Sequence, residues 1–159
     1  VTDLHALVRG AGDLARTMLI ERGEPEVTGM YHLVAPAGGT DAVIICPWRD
    51  EKDKLLAIAK VKEIAHRMRA EAAMFCGEVW MVVRDRPPTS ADDPPAQQPD
   101  RQECVFAVAT DGNQTIAKTW QIVRMRPGGP VLALVEQKEK IGDFQGRLID
   151  GLIPAKERR

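Results

Sequence analysis

The first 23 residues place Leu4, Leu7, Val8, Ala11, Leu14, Ala15, Met18 and Leu19 at spacings of three and four, with Asp3, Arg9, Asp13, Arg16 and Glu21 between them. This stripe predicts an amphipathic helix capped by Thr2 or Asp3 and ended by Gly23. Gly10 and Gly12 each cost about 1 kcal/mol relative to alanine inside a helix, so its first two turns are expected to be frayed or broken. Residues 30–35 and 42–46 are extended apolar runs on either side of a Pro/Gly-rich hexapeptide, the pattern of a hairpin. The second run has no polar residue, which predicts a central strand covered on both faces and ended by Pro47.

Asp50 opens a second helix that the spacing carries to about Ala73, with Ala57, Ile58, Val61, Ile64, Ala65, Met68 and Ala72 inward. Acidic Asp50, Glu51 and Asp53 at its start and Arg67 and Arg69 near its end complement the helix dipole. Gly77 is expected to turn the chain into a strand over 78–85. Residues 86–101 hold five prolines and no large apolar side chain, and read as a solvent-exposed mobile loop.

Two further strands, 103–110 and 114–125, flank Asp111-Gly112-Asn113, a strong hairpin signal. A three-residue loop pairs Val108 with Ile116 and Cys104 with Trp120 and segregates the faces better than a two-residue loop. It predicts one face of Cys104, Phe106, Val108, Ile116, Trp120 and Ile122, and an opposite face of Val105, Ala107, Ala109, Thr115, Ala117 and Thr119. A last strand covers 131–135 after the turn at 127–130. From about residue 138 a tail has only Ile141, Phe144, Leu148, Ile149, Leu152 and Ile153 to dock it, loosely. The order α-β-β-α-β-β-β-β predicts one α+β domain spanning 1–159, with a mixed, mostly antiparallel sheet of five to six strands and two main helices.

Composition narrows the partners. The 159 residues are 44% hydrophobic, and 22 basic against 23 acidic side chains leave a net charge of -1, so the clustered basic excess of a nucleic-acid domain is absent and no nucleic acid is expected. No apolar run reaches the roughly 18 residues of a membrane span. The first residues lack the charged and continuous apolar regions of a secretory signal. Cys46, Cys76 and Cys104 each sit in an apolar run without zinc-site spacing, and are expected to be buried thiols of a cytoplasmic protein.

Candidate chemistry is sparse. His32, Glu78 and Lys118 interrupt apolar strands, where an ionisable group is costly unless a partner or a function compensates. Glu78 and Lys118 would pair if they share a sheet face, and His32 would join them if the first hairpin lies alongside. A ligand set of His32, Asp41 and Glu78, with Lys118 stabilising charge, defines one alternative, a small metal-dependent hydrolase or nuclease. Against it, Glu78-Val79-Trp80 puts tryptophan where the Glu-x-Lys of a restriction-type nuclease core has its lysine. The one serine, Ser90, lies in the proline-rich loop, away from any nucleophile elbow. Gly38-Gly39 and Gly128-Gly129 join strands and so lack the helix N-terminus of a phosphate cradle. The principal expectation is a non-catalytic protein-interaction or assembly module without cofactor or metal, a homo-oligomer associating through a sheet edge or an apolar helix face. A small-ligand module, with its pocket between the sheet and the long helix, is the third reading.

Overall fold

Asp3 starts α1 (Leu4–Arg16) by accepting the Ala6 N–H at 3.1 Å, and the helix widens into a π-helical turn (Thr17–Glu21) before Gly23. The computed structural model describes residues 2–81, 97, 99–137, 140–142 and 148–155. The strands are β1 (Met30–Val34), β2 (Ala42–Ile45), β3 (Ala72–Met81), β4 (Gln102–Thr110), β5 (Thr115–Arg124), β6 (Val131–Glu136) and β7 (Lys140–Gly142), with α2 (Glu51–Met68) between β2 and β3. They form one sheet in the order β2-β1-β3-β4-β5-β6, with β7 on β5, and every pairing is antiparallel. The fold is the expected α+β arrangement with the elements in the expected order. The expected loop lies mostly outside the described residues, as do 82–85 of the expected third strand.

The sheet is the middle layer. On one face α1 lays Leu4, Val8, Ala11 and Ala15 over Met74, Cys76, Val105 and Trp120. On the other, Val61 and Ala65 of α2 join Tyr31, Leu33, Phe75 and Val108, and Ile149, Leu152 and Ile153 of the C-terminal segment complete that core. Tyr31 Oη donates to the Leu148 carbonyl at 2.6 Å, which fastens this segment to β1.

Five expectations are corrected. The first turns of α1 are not broken at its glycines: a Cβ on Gly12 would lie 2.5 Å from Trp120 Cζ2, so this glycine lets the helix approach the indole on β5. A Cβ on Gly10, by contrast, would meet nothing within 4 Å. Gly10→Ala is therefore expected to stabilise the fold by about 0.5–1 kcal/mol through helix propensity. Gly12→Ala gains the same propensity but must displace the indole, an overpacking cost of about 1–3 kcal/mol, so a net loss is expected. Urea unfolding of the two variants checks this, and equal signs would refute the close-packing explanation.

The second helix stops at Met68, not near Ala73. Asp50 caps its start through the Asp53 N–H at 2.7 Å, and Arg69 ends it in the left-handed conformation, φ 53°. Ala72 consequently belongs to β3 and packs under α1, and Gly77 lies within β3, not at a turn.

The hairpin β4–β5 is one residue out from the expected register, because its connection has four residues. Asp111 Oδ1 accepts the N–H groups of Asn113 and Gln114, each at 2.8 Å, and Thr110 pairs with Thr115. Val105, Ala107 and Ala109 therefore share the α1 face with Ile116, Trp120 and Ile122.

Finally, β2 is an edge strand. The other side of β1 is taken by β3, and α1 packs over β3, β4 and β5, so among the described residues no helix covers the α1 side of β2. Val43 and Ile45 are each 58% exposed. An uninterrupted apolar run at a sheet edge is thus open on one face.

Candidate functional site

The structure brings together two of the four residues singled out in the sequence. His32 Nε2 and Asp41 Oδ2 are hydrogen-bonded at 2.8 Å, and Asp41 Oδ1 accepts the Ala35 N–H at 2.9 Å. Asp41 thereby ties the start of β2 to the end of β1. The Ala35 N–H and then His32 hold its carboxyl below the ordinary carboxylate range.

Glu78 is elsewhere. His32 faces Met74 across β1–β3, and Glu78 lies four positions further along β3, a separation of about 13 Å at ~3.3 Å per residue. Its Oε1 accepts the Val27 N–H at 2.8 Å. Burial pushes the carboxyl up, against the pull of that N–H, and Glu103 pushes it further. Lys118 shares the α1 face with Glu78 but is ion-paired with Glu136, and its ammonium lies 5.8 Å from the Trp120 ring centroid. Among the described residues, no group of three or more His, Cys, Asp or Glu side chains converges as a metal site would require. All three thiols are buried, and burial raises each, Cys76 to about 12. None is poised as a thiolate.

A cleft of about 690 Å³ opens where the π-helical turn meets the ends of β3 and β5 and the starts of β4 and β6. Trp80, Glu103 and Arg124 are among the residues that line it. The Arg124 Nε donates to both Glu103 oxygens at 3.2 and 2.9 Å and its Nη2 donates to Oε1 at 2.5 Å. Nη1 donates to the Gly129 carbonyl at 2.9 Å and Nη2 to that of Pro25 at 3.3 Å. The guanidinium is thus committed to the protein itself. It braces β4, β5, the 125–130 turn and the segment after α1 together. Sequence reasoning missed this pair, because the expected hairpin register puts Glu103 and Arg124 on opposite faces.

The open edge of β2 is different, because its groups have no partner among the described strands. Cys46 donates its N–H to the Gly29 carbonyl at 2.7 Å, which sets the alternation along the strand. Ala42, Ile44 and Cys46 turn their backbone groups toward β1. Val43 and Ile45 turn theirs outward. The same two residues carry the exposed apolar side chains. On the opposite face a groove of about 320 Å³ runs beside the edge between Ile44 and α2, where Leu56 is 62% exposed. β2 itself has no charged side chain, proline or bulge, the devices by which edge strands are usually blocked.

Among the described residues no helix is long and apolar enough to cross a membrane. Comparison with protein families, with curated proteins and with solved structures finds no match for this chain.

Proposed function

We propose that this protein is a non-catalytic interaction module that works by adding a partner's extended strand to the edge of β2. A cytoplasmic setting belongs to the same reading, supported by three buried cysteines that form no disulfide among the described residues. The observation that carries it is the coincidence, at Val43 and Ile45, of outward backbone donors and acceptors with exposed aliphatic side chains. Main-chain hydrogen bonds supply affinity in strand addition, and alternate side chains supply selectivity. The cleft at Trp80 supports the module reading less well, since Arg124 and Glu103 in its lining are spent on bracing the strands.

A labelled peptide copying residues 40–47, with Cys46→Ser, is a suitable probe strand. Saturable binding by fluorescence anisotropy is expected, weakened at least tenfold by Val43→Lys and by Ile45→Pro. The proline removes an outward N–H while leaving the β1 hydrogen bonds intact. Both positions are exposed, so melting temperatures should change little. Binding that is absent, or equal in all three proteins, would overturn the proposal.

A further inference from the structure

The edge of β2 is self-complementary, and we infer that its partner is a second copy of this chain, paired antiparallel about Ile44. This rests on the strand-addition reading above and names its occupant. In an antiparallel pair, directly opposite residues share a face, so a two-fold axis normal to the sheet can centre only on a residue, not between two. Centring on Ile44 sets Val43 against the partner's Ile45, and the reverse. Those are the outward-turned residues, so each such pair exchanges N–H···O=C bonds in both directions. Centring on Val43 or Ile45 leaves one of the outward pairs beyond the strand.

Packing agrees with that register. On the α1 side the Val43–Ile45 pairs meet, each worth about 0.2–1 kcal/mol. On the α2 side Ile44 meets its own copy beside exposed Leu56. At the ends, Asp41 of one copy comes alongside the segment 47–49 of the other, where the Arg49 side chain is 89% exposed. Each joint therefore brings the Arg49 guanidinium, itself shared with Asp53, near Asp41 of the other copy. The result is one sheet continuous through both copies, with α1 on one side and α2 on the other throughout. A short strand contact predicts a micromolar dimer, not an obligate one.

Sedimentation equilibrium from about 5 to 500 µM spans that range. The mass should rise from 17.5 kDa toward about 35 kDa and stop there. Val43→Lys should stay monomeric throughout. Ile44 and its copy form a non-hydrogen-bonded pair, with Cα atoms about 4.5 Å apart, within disulfide reach. Mild oxidation should therefore cross-link Ile44→Cys to itself, but not Val43→Cys, whose copies lie two positions out of line.

A monomer at every concentration that still binds the strand peptide overturns the second-copy inference and leaves the edge reading standing. A monomer that ignores the peptide overturns both. A dimer that Val43→Lys abolishes but Ile44→Cys does not cross-link overturns the Ile44 register. Growth past the dimer overturns the closed pair, because it requires β2 to meet the other edge strand, β6, head to tail.

Discussion

Replacing Phe75 with alanine is expected to lower the unfolding free energy by about 3–5 kcal/mol. The ring is 2% exposed at the centre of the α2-side core. It stacks on Trp48 with centroids 5.7 Å apart and 14° between planes, and tilts against Tyr31 at 5.1 Å. It also fills space that no neighbour can take over: a Cβ on Gly77 would lie 2.9 Å from Phe75 Cζ, so that glycine leaves room for the ring. The cavity left by alanine is therefore bounded on one side by glycine backbone, which relaxes little, and on the others by the large Tyr31 and Trp48 rings, so the cost belongs in the upper part of the range for aromatic truncations. A melting-temperature drop of about 10 °C or more should accompany it for a chain of this size. Phe75→Leu keeps most of the apolar volume and should lose less than half as much. Loss of Trp48 burial should appear in the fluorescence of the folded variant, since the indole loses its stacking face. A loss below about 1.5 kcal/mol for Phe75→Ala would mean that the sheet closes over the gap, contrary to the packing argument.

How much of this was legible in the sequence depends on whether the signal was local. The start of α2 was legible, because Asp50 and the acidic first turn are a self-contained cap. Its end was not: Ala70, Ala72 and Ala73 fit a helix stripe as well as a buried strand, and Arg69 has no glycine's freedom to advertise a left-handed residue. The strands of the first hairpin were legible as strands, yet the sequence could not place β2 in the sheet. Apolar residues on both faces describe equally a covered central strand and an edge strand with one face awaiting a partner. The strand order and the position of α1 over β3, β4 and β5 distinguish them.

The candidate site divides in the same way. Asp41 and His32 are close in sequence across a turn, so the hairpin brings them together, yet the sequence reading joined them only as metal ligands with Glu78 and not as a pair. Glu103 and Arg124 are held by a hairpin whose register turns on one residue of loop length. With both faces of β4 and β5 apolar, hydrophobic segregation favoured the three-residue loop over the two-residue one and missed the four-residue connection. Relative size decides the register: alanines at 107 and 109 belong beside Trp120 and Ile116 under a helix that approaches as closely as Gly12 allows.

That pair carries the second large effect. Arg124→Met should cost about 2–4 kcal/mol, whereas an exposed ion pair would cost about 1 kcal/mol or less. The Arg124 and Glu103 side chains are 14% and 22% exposed, so water can replace little of what is lost. Methionine leaves the Glu103 carboxylate beside Glu78 without its cation, and strips the Gly129 and Pro25 carbonyls of their donor. Glu103→Gln added to Arg124→Met removes the stranded charge, so the double variant should be more stable than Arg124→Met alone, with a coupling above about 1.5 kcal/mol in the full cycle.

The pH dependence gives an independent readout through Glu78. A carboxyl whose folded pKa exceeds its unfolded value stabilises the fold when protonated, and that contribution is lost as pH rises through the folded value. Burial already places Glu78 in this class, and Arg124 is one of the groups that pull it down. Without Arg124 the folded value rises further, so the deficit of Arg124→Met relative to the parent should shrink as the pH falls from 7 toward 5. Urea unfolding at both pH values measures it. A deficit that is constant or grows on acidification would show that Arg124 acts through its packed methylenes alone, and that the carboxylates at this end of the sheet do not depend on its charge.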